Sequence, residues 1–195
     1  MVAGFTPGGA IYIVFPLQTV VCAGVVAYYW REYAMRAPRK VWVAGGIGVL
    51  VLAIWISPQL VFHAKPRLNG FDPDIFLGRP GVYWTEVVMR FLRLVIVVPL
   101  VEEVFWRGFV LRFLVKEDFR SVPIGTFTQT ANALVAVGFV LEHSVPDWPA
   151  ALAAGLLYNL VAYRTKSLSS CVVAHGITNA LLGGFIMMTR QWGFW

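Results

Sequence analysis

Apolar runs of about twenty residues recur along this chain and leave it few ways to fold. The runs at about 9–30, 41–62 and 168–189 are each long enough to cross a hydrocarbon layer of about 30 Å. Only a structure that satisfies its own backbone can do so, and a helix does this within one segment. Composition agrees. Of 195 residues, 58% are hydrophobic and 13% charged, against about 25% charged in an ordinary soluble domain. The mean hydropathy is +0.70. The fold expected is an all-α polytopic membrane protein, a bundle of about six transmembrane helices. Its spans can pack only on each other, so residues 1–195 read as one membrane domain. Residues 1–82 supply two N-terminal spans and a loop, and residues 83–195 form the core.

The net charge of +6 does not mark a nucleic-acid surface. The basic residues sit in short segments between apolar runs, as membrane flanks do. REYAMRAPRK (31–40), KEDFR (116–120) and 164–166 fall on one side of a six-crossing bundle. The positive-inside rule then places both termini outside, although Lys65, Arg67 and Arg79 lie in the opposite loop. That loop, residues 63–81, is rich in Pro, Gly and Asp, with a short interfacial helix expected near 75–77. The two cysteines, Cys22 and Cys171, lie inside apolar runs without CxxC spacing, so neither a disulfide nor a zinc ribbon is expected. The first residues lack a positive n-region and an evident cleavage site. They read as a retained first span.

The stretch VVPLVEEVFWRGFVLRFLV (97–115) poses the functional question. It lies in a helical run over about 83–115, longer than a bilayer core. Arg90 and Arg93, early in that run, are expected at the interface. Pro99 is expected to kink the helix just before the glutamates. Glu102, Glu103 and Arg107 then fall in apolar surroundings, where each charge costs about 2.5–3.5 kcal/mol on insertion scales. Residues four apart share a helix face, so Glu103 and Arg107 can neutralise each other. Glu102 points about 100° away and gains nothing from Arg107.

Other polar groups also fall in the C-terminal half: His143 in GFVLEHS, and His175 with Asn179 one turn later in HGITN. Hydropathy puts His143 at a helix end between two short apolar runs. A turn reaching into the membrane is tolerated where it lines a wet, protein-walled cavity. Such a polar intramembrane cavity is expected here. A carboxylate in it could deprotonate a water, and His and Asn donors could stabilise an oxyanion. That chemistry is peptide hydrolysis without a covalent intermediate.

Three motifs stand in order on separate helices. EEVFWRG (102–108) fits EExxxR, FVLEH (139–143) fits FxxxH, and HGITN (175–179) fits HxxxN. Together they resemble the CAAX-protease and bacteriocin-processing family of glutamic intramembrane proteases. FDPDIF, PLVEEVFWRGFVLRFLV, DFRSVPIGTF and RQWGFW are further similar to CAAX-protease-related proteins of bacterial exosortase systems. The resemblance implies an intramembrane endopeptidase of the bacterial cytoplasmic membrane. Its substrate would be a membrane-associated protein or peptide, prenylated and CAAX-like or PEP-CTERM-like. It implies that Glu102 activates water with His143 helping to hold it. His175 and Asn179 would form the oxyanion site, and Glu103 and Arg107 would position it. No cofactor is implied. Trp106 departs from the pattern, since many members carry Phe before the Arg.

Several plainer readings stand beside these. Glu103–Arg107 could be a structural ion pair, Glu102 a neutral hydrogen-bonded acid, and His143 an interfacial residue. His175 and Asn179 could serve only as interhelical hydrogen bonds. Cys171, four residues before His175, could form a Cys–His dyad, or be an inert buried residue. The Glu/His set could hold zinc, but HExxH is absent and Arg107 would compete with a cation. A binding or scaffold role in an exosortase pathway needs no catalysis. Transport is disfavoured because no inverted repeat or paired broken helix is found.

Overall fold

The computed structural model describes residues 9–33 and 35–195. The expectation of an uncleaved N-terminal start falls in part on residues 1–8, outside the described residues. The described residues form six helical bodies: α1 (Ile11–Tyr28), α2 (Val41–Leu60), α3 (residues 80–113), α4 (Gln129–Leu141), α5 (Trp148–Thr165) and α6 (Leu168–Thr189). No strand is present among them. Helices α1, α2 and α6 are long and apolar enough to cross a membrane, with mean hydropathies of 1.9, 2.0 and 1.6. At 1.5 Å per residue α3 runs about 50 Å, whereas α4 runs only about 20 Å, short of a full hydrocarbon core.

The connectors sort to two ends, as six alternating passes require. At one end, Arg120 pairs with Glu32 at 3.4 Å. There too Lys40 donates to the Arg164 carbonyl at 2.8 Å, and the Arg39 amide to Ser170 Oγ at 2.8 Å. The three basic connectors therefore meet, as expected. At the other end, Arg67 pairs with Asp147, Arg190 with Asp74, and Tyr12 donates to the Asp72 carbonyl. The 63–79 loop, the α4–α5 turn and the C-terminal segment all lie there. The short helix expected near 75–77 is a 3₁₀ turn at Pro73–Phe76, capped by the Asp72 side chain.

Helix α3 is not a regular α-helix. Its α segments, Pro80–Leu92, Val98–Glu103 and Leu111–Phe113, are separated by π turns at Arg93–Val97 and Val104–Val110. The first widened turn ends just before Pro99, where the sequence predicts a kink. Proline has no N–H, so a carbonyl in the preceding turn loses its partner. Widening the turn re-aims that carbonyl toward a neighbouring helix.

Glycines let α6 lie close to its neighbours. A Cβ on Gly48 of α2 would come within 2.6 Å of the Ala174 carbonyl oxygen. A Cβ on Gly176 would come within 2.9 Å of the Val95 carbonyl oxygen on α3. Small residues at such seams are the usual means of close packing in lipid, where helices gain little from apolar burial. The resulting core joins α2, α4, α5 and α6 through Ala44, Val51, Phe139, Ala154, Tyr158 and Ala174.

Candidate active site

Glu103 and Arg107 form the closed side of α3. Both are fully buried, and Arg107 Nη1 donates to Glu103 Oε1 at 3.0 Å. The guanidinium also donates through Nε to Asn159 Oδ1 and through Nη2 to the Gly155 carbonyl, each at 3.0 Å. Asn159 in turn donates to Asn132 Oδ1 at 3.1 Å, and Tyr163 donates to the same oxygen. The Phe139 and Tyr158 rings lie 5.0 and 5.4 Å from the guanidinium carbon. A buried charge needs both a counter-charge and hydrogen bonds, and Arg107 has both.

The same Glu103 oxygen accepts from His175 Nδ1 at 3.0 Å. The carboxylate faces Arg107 and can only accept, so Nδ1 carries a proton and Nε2 is left toward the cavity. The imidazole stacks on Tyr158 with ring centres 4.9 Å apart. Tyr158 is fixed by its hydroxyl on Thr178, which donates to the Gly48 carbonyl. One turn on, Asn179 Nδ2 donates to the Leu94 carbonyl at 2.8 Å. In a π turn the partner of Leu94 would be residue 99, a proline. Asn179 supplies the missing donor and keeps its second N–H for the cavity.

Glu102 is on the open side. Its side chain is half-buried and makes no hydrogen bond or ion pair among the described residues. It lines a cavity of about 420 Å³ that also takes in His143, His175 and Asn179. His143 Nδ1 lies 2.7 Å from the Phe139 carbonyl, which can only accept. Nδ1 is therefore the protonated nitrogen, and Nε2 keeps its lone pair. The ring packs on Trp55 of α2 and on Phe139. Because α4 is short, the turn bearing His143 sits beside this cavity.

Four of the six residues singled out in the sequence thus share one cavity, and Glu103 and Arg107 hold it from behind. Two expectations change. Arg90 and Arg93 do not sit out at the interface: Arg90 is 6% exposed, and both line the cavity. A Cys171–His175 dyad does not form, since Cys171 Sγ is turned to the Ser167 and Tyr158 carbonyls. Sequence reasoning also missed Glu142, which lines the cavity next to His143. Trp106 Nε1 donates to Glu142 Oε1 at 3.0 Å. A phenylalanine at 106 could not. No three His, Cys, Asp or Glu side chains converge as metal ligands among the described residues.

The profile described as type II CAAX prenyl endopeptidase Rce1-like matches residues 82–181. The chain belongs to that Rce1-like family. It is therefore an integral membrane endopeptidase that acts on membrane-associated peptide substrates. The matched span begins with α3 and ends within α6, so it covers all six residues of the motifs. No curated protein and no solved structure matches the chain.

Proposed function

We propose that this endopeptidase hydrolyses its peptide bond with a water activated by Glu102, without a covalent intermediate. The observation that carries the reading is the unequal treatment of two adjacent glutamates. Glu103 Oε1 is held by both Arg107 and His175, whereas Glu102 faces the cavity with no partner among the described residues. A water between Glu102 and His143 Nε2 gives up a proton to the carboxylate as its oxygen adds to the scissile carbonyl carbon. The C–N bond then breaks, and the proton passes to the departing amine. In this reading the second Asn179 N–H stabilises the oxyanion, a role supported by the place of Asn179 on the cavity wall. His175 Nε2 does the same when the ring carries both protons, with Glu103 as the facing anion. Metal-free chemistry is favoured over zinc because the Arg107 guanidinium, bonded to Glu103 Oε1, would compete with a cation there.

The substrate is a membrane-associated tail, prenylated and CAAX-like or PEP-CTERM-like. Entry from the bilayer is supported by an apolar crevice of about 190 Å³ that reaches Glu102 past Thr19, Cys22, Val98 and Val101. The cavity mouth lies at the Asp147 end. Arg31, Arg36, Arg39, Lys40, Lys116, Arg120, Arg164 and Lys166 lie toward the opposite end, against Lys65, Arg67, Arg79 and Arg190 toward the end that carries the mouth. The positive-inside rule turns the mouth away from the cytoplasm. In a bacterial cytoplasmic membrane the mouth faces outward.

The test uses purified protein in detergent with both peptide types, and mass spectrometry of the products. Cleavage lost in Glu102→Ala but kept in Cys171→Ala and in EDTA is the expected result. Loss in EDTA with rescue by zinc would replace this mechanism with a metalloprotease. Failure to cleave either tail, with binding intact, would favour a scaffold role.

A further inference from the structure

Peptide hydrolysis needs an acid as well as a base, because an amine leaves a tetrahedral carbon readily only as it gains a proton. The cavity wall offers few candidates. His143 Nδ1 is committed to the Phe139 carbonyl, and its Nε2 is bare. Asp147 is held by Arg67 and Ser144, and the Tyr158 hydroxyl donates to Thr178. His175 gives its Nδ1 proton to Glu103, and its Nε2 serves the oxyanion. Guanidinium groups do not release protons in a working pH range. Glu142 remains. Its Oε1 has one partner, Trp106, and its Oε2 makes no hydrogen bond or ion pair among the described residues.

Packing fixes where this second carboxylate sits. Glu142 caps the C-terminus of α4, one turn after Gly138. Trp106 of α3, one turn after Glu102, lies against that glycine, where a Cβ would come within 2.6 Å of the indole ring. Phe139 meets the same indole edge to face, with ring centres 6.3 Å apart. The indole is thereby held, and its Nε1 donates to Glu142 Oε1 at 3.0 Å. One oxygen of Glu142 is thus pinned to the helix that carries Glu102, and the other is left to the cavity that both glutamates line. Of the charged groups facing Glu102, Glu142 acts on it most strongly, ahead of Glu103 and Arg107. Two carboxylates in one confined cavity cannot both ionise cheaply, so the pair keeps a proton between them. The indole N–H can rest on the carbonyl oxygen of a protonated acid, which places that proton on Oε2.

We propose that Glu142 is the general acid of this site and gives its Oε2 proton to the departing amine. The proposal rests on the Glu102 reading above and specifies its last proton transfer. Glu102 takes a proton from water as the water oxygen bonds to the scissile carbon, which leaves a tetrahedral oxyanion. The oxyanion re-forms its carbonyl, the C–N bond breaks, and the electron pair left on nitrogen takes the Glu142 proton. The products are a carboxylic acid and a neutral amine. The proton held by Glu102 then passes to Glu142, and the pair returns to its starting charge. Glu102 and Glu142 thus divide base and acid between them, as paired carboxylates do in other hydrolytic sites.

The test varies the leaving group. PEP-CTERM-like and prenylated CAAX-like tails are each made as the peptide and as a thioester, with sulfur in place of the scissile N–H. A thiolate leaves without a proton, so the thioester needs the base but not the acid. The whole chain in detergent is assayed on both forms, with spontaneous hydrolysis subtracted. Glu142→Gln keeps an acceptor for Trp106 and removes the proton. It should slow peptide cleavage about 10²- to 10³-fold and thioester cleavage less than about threefold. Glu102→Gln should slow both. Because the two substrates are compared within one protein, partial misfolding lowers both and does not imitate the result. Undiminished peptide cleavage in Glu142→Gln, or an equal loss on both substrates, would overturn the acid. Selective loss in Glu142→Gln with no loss in Glu102→Gln keeps the acid and removes the Glu102 base. Loss of both in Glu102→Gln with none in Glu142→Gln keeps the base and removes the acid. Wild type that cleaves neither form overturns both.

Discussion

The two sides of α3 meet the same problem, a carboxylate in an apolar bundle, and resolve it in opposite ways. On the closed side, Glu103 shares one oxygen between Arg107 and His175, and Arg107 is further held by Asn159 and the Gly155 carbonyl. On the open side, one residue away, Glu102 has no partner among the described residues and faces a cavity. Adjacent positions on a helix point about 100° apart, so one turn of the helix can serve both purposes. The closed side fixes where the helix sits and how His175 is turned. The open side can then remain unpaired without the site losing its shape.

The comparison can be broken first at the closed side. Glu103→Gln leaves Arg107 buried without its anion, and such a loss costs about 3–5 kcal/mol. Unfolding followed by thermal melt in detergent should show that loss, along with loss of cleavage. A Glu103→Gln protein as stable as wild type would mean the pair carries little of the fold.

The seam between α3 and α6 is the next point. Gly176→Ala forces a Cβ toward the Val95 carbonyl, and overpacking of this kind costs about 1–3 kcal/mol. The shift moves His175 from Glu103 and Asn179 from the Leu94 carbonyl together. Cleavage should fall by more than the melt alone accounts for. An unchanged rate at an unchanged melting temperature would show that the close approach does not align the site.

The smallest effect is expected on the open side. Trp106→Phe removes the donor to Glu142, a change of about 1 kcal/mol. The expected outcome is a minor drop in stability and a displaced pH–rate profile, since Glu142 stands beside His143 in the cavity. A profile identical to wild type would separate Glu142 from the reaction.

Much of this was legible in the sequence. The apolar runs fix the helices because lipid offers the backbone no other partner, and i,i+4 spacing gives the Glu103–Arg107 pair directly. The three motifs bring Glu102, His143, His175 and Asn179 to one cavity, as their mid-run positions suggest. What stayed hidden depends on contacts between helices. Asn132 and Asn159 look like ordinary polar residues in TANAL and YNLVA until Arg107 reaches across to them. Tyr158 gives no hint that it stacks on His175. Arg90 and Arg93 resemble flanking charges that snorkel to water. Only the packing of Phe15 over both, and of Phe71 over Arg90, makes the end of α3 part of the cavity. The π turn before Pro99 is half legible. Proline predicts a disturbance, but the donor that repairs it comes from Asn179, far along the chain.

The most direct measurement compares cleavage and thermal melt for Glu102→Gln and wild type in the same detergent. If Glu102 is the unpaired base, hydrolysis falls about 10²- to 10⁴-fold, while the melting temperature holds or rises because no partner is lost. Retained cleavage in Glu102→Gln, or a melt lowered as far as that of Glu103→Gln, would contradict the account.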